Sequence, residues 1–192
     1  APLETTKLRA TLHHRADGKS GLTEIEAWGD ATLPLEAVPP PAGNLAYNPR
    51  AEGFPKVSAS FSDRFGGKPH NAIDGKTVFL PNPMNRWTSY ESKSETDWLE
   101  IDFGKPQDVS RVELYIYDDR GGVQPPADYV IEYLDDETWK TVHNPRKSPL
   151  NPTGGTMNTV RFDSVKTTKL RVVFTHQGRS RSGLTEIEIW KE

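Results

Sequence analysis

Two groupings of polar residues in the turns of this chain have the makings of chemistry. The first is Asn71-Ala72-Ile73-Asp74-Gly75-Lys76, where a carboxylate sits beside a glycine in a tight turn. A hard cation such as calcium takes about six to eight oxygens at about 2.3–2.6 Å, some of them backbone carbonyls of such a turn. The second is a set of loop residues: Asp63 and Arg64, Thr88 and Tyr90, Asp118 and Arg120, and His176, Arg179 and Arg181. Planar polar side chains of these types hydrogen-bond adjacent hydroxyls, and an aromatic plane packs on the apolar face of a ring. Together they are the equipment for gripping a polyhydroxylated ring.

Other chemistries are poorly supplied. There is no cysteine, so disulfides, thiolate metal sites and thiol nucleophiles are excluded. The five histidines, His13, His14, His70, His143 and His176, show no His-x-His or His-Glu-x-x-His spacing. The adjacent pair His13-His14 would point to opposite faces of a strand, so no zinc site is expected. Gly-x-Ser-x-Gly and a glycine-rich phosphate loop are both missing. Carboxylate pairs such as Asp118-Asp119 and Asp135-Asp136-Glu137 fall in turns, where charge usually serves solvation. The chain is therefore expected not to be an enzyme. A net charge of −3 argues against a nucleic-acid partner held by phosphate contacts. No apolar run reaches the roughly 18 residues of a membrane helix, so no membrane insertion is expected.

The elements that must position these groups read as strands. In Asp97 to Phe103, Leu99, Ile101 and Phe103 alternate with Trp98, Glu100 and Asp102, and Gly104-Lys105-Pro106 is expected to end the strand. Further strands are expected over 109–117, 128–134, 138–142, 157–162, 169–175 and 184–190. With 15 Gly and 16 Pro and no helical stripe, the pattern implies an antiparallel β-sandwich or barrel. The expected core is Ile73, Trp87, Leu99, Ile101, Phe103, Val112, Leu114, Ile116, Ile131, Tyr133, Leu170, Val172, Phe174, Ile187 and Ile189. All five tryptophans lie in or beside strands, so a loop aromatic platform would have to come from Phe54, Phe65, Phe79 or Tyr90.

The chain also repeats itself. Residues 5–28 match residues 167–190 at a constant offset of 162, with fourteen of 24 positions identical. The second copy is expected to be the last hairpin of a domain. We therefore read 1–30 as the C-terminal hairpin of a truncated upstream module, 31–43 as a Pro-rich linker around Pro39-Pro40-Pro41, and 44–192 as one domain. An N-terminal hairpin of one larger fold is the alternative.

Seven short motifs stand in order. They are Asn44-Leu45-Ala46, Asn71-Ala72-Ile73-Asp74-Gly75, Arg86-Trp87-Thr88-Ser89, Trp98-Leu99-Glu100-Ile101-Asp102-Phe103-Gly104, Asp128-Tyr129-Val130-Ile131-Glu132-Tyr133, Leu170-Arg171-Val172-Val173-Phe174 and Glu186-Ile187-Glu188-Ile189-Trp190. This series resembles the discoidin, or coagulation-factor type C, family, and within it the bacterial carbohydrate-binding modules. The resemblance implies an all-β antiparallel jelly-roll sandwich. It also implies a non-catalytic, sugar-binding module of a secreted, periplasmic or cell-surface bacterial glycoside hydrolase, with carbohydrate and the parent catalytic domain as partners. It implies a structural calcium held by Asp74, the carbonyls of Asn71, Lys76 and Thr185, Asn85, and Glu186. It places ligand contacts on the loops of Asp63, Arg64, Thr88, Tyr90, Asp118, Arg120, His176 and Arg181.

Three departures stand out. Eukaryotic members usually carry a terminal cysteine pair, which is missing here. The Arg-Trp pair follows Asp74 after twelve residues instead of about six, with 77–84 between. Thr88 stands where many galactose-binding members have His, so galactose is not implied. A structural accessory domain without sugar binding, or a protein-binding adhesion module, remains open at this stage.

Overall fold

The computed structural model describes residues 9–14, 16–22, 25 and 42–191. The chain forms two compact units, Ala1–Glu36 and Ala37–Glu192. The expected N-terminal hairpin and the Pro-rich linker fall largely outside the described residues.

Among the described residues, eight antiparallel strands build the second unit: β1 (Lys56–Ala59), β2 (Trp87–Thr88), β3 (Thr96–Ile116), β4 (Asp128–Asp135), β5 (Thr138–Thr141), β6 (Arg146–Ser148), β7 (Thr156–Thr175) and β8 (Gly183–Trp190). A short 3-10 turn, Pro69–Ala72, precedes Asp74. Among the described residues no helix is long and apolar enough to cross a membrane.

β3 and β7 each span both layers of the sandwich. The first part of β3 pairs β1 and the last part of β7, which continues to β4 and β5. The second part of β3 pairs β8 and the first part of β7, which continues to β6, and β2 closes on β8. The two layers therefore share two bent strands. Sequence reading expected each of these to be two strands, one ending at Gly104. The chain instead bends there and keeps pairing, with a register shift between Asp102 and Gln107. Gly104 adopts φ +72°, its N–H donates to Asp102 Oδ1 at 2.8 Å, and the ring of Phe54 lies where a Cβ would be. A bulge of this kind turns a strand without ending it. β1, β2 and β6 were not expected: at two to four residues each carries few alternations, and none is set off by a tight polar turn of the kind that marks β5 after Asp135-Asp136-Glu137.

The core lies between the layers. Leu99, Ile101, Phe103, Leu170, Val172 and Phe174 from one layer meet Val112, Leu114, Ile116, Val160, Ile187 and Ile189 from the other. Every expected core residue is there, Tyr133 at its margin. Trp87 is fully buried, donates Nε1–H to the Phe61 carbonyl at 3.0 Å and packs against Phe174. Trp87→Ala is expected to cost about 3–5 kcal/mol of stability, read by denaturant unfolding, through the cavity and the orphaned carbonyl.

The two repeat copies share a local link. His176 Nδ1 lies 3.0 Å from Ser182 Oγ, and His14 Nδ1 lies 3.0 Å from Ser20 Oγ. The pairs are related by the sequence offset of 162.

Candidate functional site

At the end of the sandwich where β3 stops and β8 begins, the loops enclose an open pocket of about 190 Å3. Three expected residues line it: Asp63, Thr88 and Tyr90. Phe65, Met84, Arg86, Tyr117, Asp119 and Val123 complete it.

The loop of Asp63 is closed by its own carboxylate. Oδ1 accepts the N–H groups of Phe65 at 2.7 Å and Gly67 at 3.0 Å, and Oδ2 accepts the Thr88 hydroxyl. That turn lifts Phe65 outward. Its ring meets Tyr90 at 6.0 Å between centroids, tilted by 52°, and both rings are substantially exposed, by 55% and 39%. Two apolar planes therefore stand at an angle over the pocket. In the same lining, Arg86 lies 4.3 Å over the Tyr117 ring and donates Nη1–H to the Pro81 carbonyl at 3.2 Å. Burial holds the Tyr117 phenol above its usual value, a shift that Arg86 partly offsets. Asp119 Oδ1 accepts from Gly121 at 2.7 Å and Val123 at 3.0 Å, which leaves Oδ2 for a ligand. A Cβ on Gly122 would come within 2.3 Å of the Tyr90 ring. Gly122→Ala is therefore expected to displace Tyr90 and weaken ligand binding by about tenfold, measured by titration, while the sandwich still folds.

The other expected contacts lie elsewhere. Asp118 is half-buried against Gly154, and its Oδ1 accepts the Arg120 N–H at 2.7 Å. Its neighbour Asp119 takes the place in the pocket, a choice two adjacent carboxylates do not disclose. Arg120 is exposed at φ 57° and does not line the pocket. Arg64 is at the rim, paired with Glu91 at 3.2 Å and stacked on Phe65 at 5.1 Å. Arg181 braces loops: Nε donates to the Ser92 carbonyl, and Nη1 to the carbonyls of Arg179 and Ser180. Arg179 is exposed outside the pocket.

His176 is not a rim residue. Its ring is sealed, with Nε2 2.9 Å from Asp97 Oδ2 and Nδ1 3.0 Å from Ser182 Oγ. This Ser-His-Asp arrangement is structural, since Ser182 is 1% exposed and no substrate reaches it. Asp97 Oδ1 also accepts the Ser60 hydroxyl at 2.6 Å, so the cluster ties the ends of β1, β3, β7 and β8 together. Burial alone would raise the Asp97 carboxyl, but hydrogen bonds from His176, Ser60 and Ser92 together hold it below the usual carboxylate value. Its stabilising effect is present above the unfolded-state value, 3.8, and is lost as pH falls through the depressed one. Asp97→Asn is expected to cost about 2–3 kcal/mol at neutral pH and to remove this acid-side loss, as followed by thermal melts against pH.

The expected metal ligands converge beside β8. The Asn71 carbonyl, Asp74 Oδ1 and the Lys76 carbonyl all lie around Asn85 Nδ2, at 3.5, 3.2 and 3.4 Å. A half-turn of that amide presents Oδ1 to the same oxygens' centre. Thr185 is the extra residue where the β3–β8 register shifts, between Tyr115↔Glu186 and Ile116↔Leu184. Glu186 is fully buried, and its two oxygens accept the Gly75 N–H at 3.1 and 3.2 Å. Burial, and then the nearby Asp74 charge, push its carboxyl up to about 9. The Lys76 ammonium reaches Asp74 Oδ2 at 3.1 Å, and among the described residues no ion pair reaches Glu186. Two buried carboxylates, an amide and turn carbonyls form a hard-oxygen set of the kind calcium takes. Among the described residues no group of three or more His, Cys, Asp or Glu side chains is placed to hold a metal ion, so carbonyls must make up the number. The inserted segment 77–84 leaves these ligands together and bulges toward the pocket, where Met84 joins its wall.

The chain belongs to the F5/8 type C domain family, non-catalytic binding modules, and the family's pattern matches residues 56–187. Several solved structures share the fold. One, from work on the Streptococcus pneumoniae beta-galactosidase BgaA, is 23% identical with a TM-score of 0.72, covering 78% of this chain and 98% of that one. A chitosan-binding module 2 of a Paenibacillus sp. IK-5 chitosanase/glucanase, in complex with chitotriose, is 24% identical with a TM-score of 0.58, covering 77% and 100%. The family 32 carbohydrate-binding module of C. perfringens NanJ, in complex with galactose, is 17% identical with a TM-score of 0.55, covering 71% and 93%.

Proposed function

We propose that this module binds carbohydrate in the pocket of Phe65, Arg86, Tyr90 and Asp119, and that it targets an exported bacterial glycoside hydrolase to its glycan. The observation that carries the reading is the pair of exposed, mutually tilted rings set against free polar groups. Phe65 and Tyr90 offer apolar planes to the two faces or edges of a sugar ring. The Arg86 guanidinium is held by Tyr117 and Pro81 while Nε and Nη2 remain free to donate. Asp119 Oδ2 accepts from a neighbouring hydroxyl, so vicinal hydroxyls are gripped from both polarities. Sugar-binding modules among the structural relatives support this use of the fold.

The same reading includes a structural calcium. Asp74, Glu186, Asn85 and the carbonyls of Asn71, Lys76 and Thr185 would hold it. Bound there, it would neutralise Glu186 and pin the 71–76 turn to β8. Catalysis is left to the attached hydrolase, which the module keeps close to the polysaccharide by raising effective concentration. Affinity in a shallow, exposed site is expected to be modest, so tethering rather than tight capture is the effect.

A glycan array spanning plant, bacterial and host glycans tests the reading. Retention of a set of related glycans, lost on Asp119→Asn, is expected. Silence across the array with correctly folded protein would sink it and favour a module that packs on its enzyme without touching sugar.

A further inference from the structure

On the far side of the pocket's own loops lies a second groove, and we propose that it is a subsite for a further sugar residue of the same chain. The inference rests on the reading that the first pocket holds sugar. The groove holds about 550 Å3 and is lined by Ser60, Phe61, Glu91, Lys93, Ser94 and Trp98, among others. The two sites share two loops. One loop gives Ser60 and Phe61 to the groove and Asp63 and Phe65 to the pocket. The other gives Thr88 and Tyr90 to the pocket and Glu91 to Ser94 to the groove. The ridge between them is the Arg64–Glu91 ion pair, at 3.2 Å.

Three features mark the groove as suited to sugar. Phe61 is 37% exposed although its carbonyl is fixed by Trp87, so the ring is presented outward from an anchored backbone. Trp98 is half-buried beside it and offers a second plane. Hydroxyls of Ser94 and Thr96, with the exposed Lys93 ammonium, supply donors and acceptors around these rings, while the Ser60 hydroxyl is held by Asp97 and the Trp98 N–H. Glu91 turns the chain at φ 71°, a left-handed conformation that is costly for a non-glycine residue. That turn is what sends Tyr90 to one site and Ser92 to the other. The occupant is therefore an oligosaccharide crossing the Arg64–Glu91 ridge, with one unit on the Phe65–Tyr90 rings and another on Phe61 and Trp98. A lone monosaccharide fills only the first pocket.

Calorimetric titration of the whole chain with chito-oligosaccharides and with β1,4-linked galacto-oligosaccharides, each of one to four residues, tests this. For the series that binds, affinity is expected to rise about tenfold once the chain is long enough to cross the ridge, equivalent to about 1.4 kcal/mol. Phe61→Ala should abolish that gain and leave the monosaccharide constant unchanged. Ser94→Trp, which puts a bulky ring into the groove from another lining position, should do the same, so one poorly folded variant does not decide the matter. Affinity independent of length, or a length gain untouched by both variants, would overturn the subsite and leave the first pocket standing. Failure of every member of both series to bind would overturn the subsite together with the reading beneath it.

Discussion

Replacing Tyr90 by alanine is expected to weaken glycan binding by about 30-fold while leaving the protein folded. The magnitude follows from the position of the ring. Tyr90 stands over the pocket on a short turn, contacts Phe65 at 6.0 Å between centroids, and is 39% exposed. An aromatic anchor at the centre of a small site commonly accounts for about 2 kcal/mol on truncation. That corresponds to a factor of about 30. Because so much of the ring faces solvent, its loss should move the melting temperature by no more than about 2 °C. Phe65→Ala should weaken binding similarly. The double variant should lose less than the sum, since each ring helps hold the other in place. Arg120→Ala provides the contrast. That residue is exposed and outside the pocket, so its removal should leave affinity unchanged.

Addition of calcium to metal-free protein is expected to raise the melting temperature by about 5–10 °C. A ligand at about 100 times its dissociation constant adds about 2.7 kcal/mol, and a domain of this size shifts by about 2–4 °C per kcal/mol. The sign with pH is fixed by Glu186. Its folded-state value, about 9, lies above the ordinary 4.5, so without metal the folded state keeps a proton that the unfolded state gives up. That contribution is fully present below about 4.5 and is lost as pH rises toward about 9. Calcium needs the carboxylate form, so its benefit should grow across the same window and be larger at pH 8 than at pH 5. Glu186→Gln mimics the protonated side chain. It should fold without calcium and show no response to it. A calcium response retained in that variant would remove Glu186 from the site.

Much of this was legible in the sequence, because alternation survives wherever a strand is half-buried. Leu99-Ile101-Phe103, Val112-Leu114-Ile116 and Leu170-Val172-Phe174 were readable as core because each lies on one face of a long pair. The bend at Gly104 was not readable as a continuation, since glycine followed by proline looks the same whether a strand stops or bulges. The turn at Asp74 and its link to Glu186 came through as a recurring motif. The pocket was only half legible. Asp63, Thr88 and Tyr90 sit in it, yet the sequence offers nothing to choose Asp119 over Asp118. Arg86 was visible only as part of a motif, and its role comes from Tyr117 and Pro81, which are distant or on an inserted loop. His176 misled because a histidine beside arginines on a loop reads as a surface group. Its burial depends on Asp97, 79 residues earlier in the chain.

Sugar binding at the loop pocket is tested most sharply by a map of amide chemical-shift changes in isotopically labelled protein during titration with an array-retained glycan. With sugar in the loop pocket, the largest changes are expected on Phe65, Thr88, Tyr90 and Asp119, with Arg120 and Arg179 unmoved. Changes concentrated away from these loops, for example on the outer face of β4 and β5, would show that sugar binds elsewhere and that the pocket of Phe65 and Tyr90 is not its site.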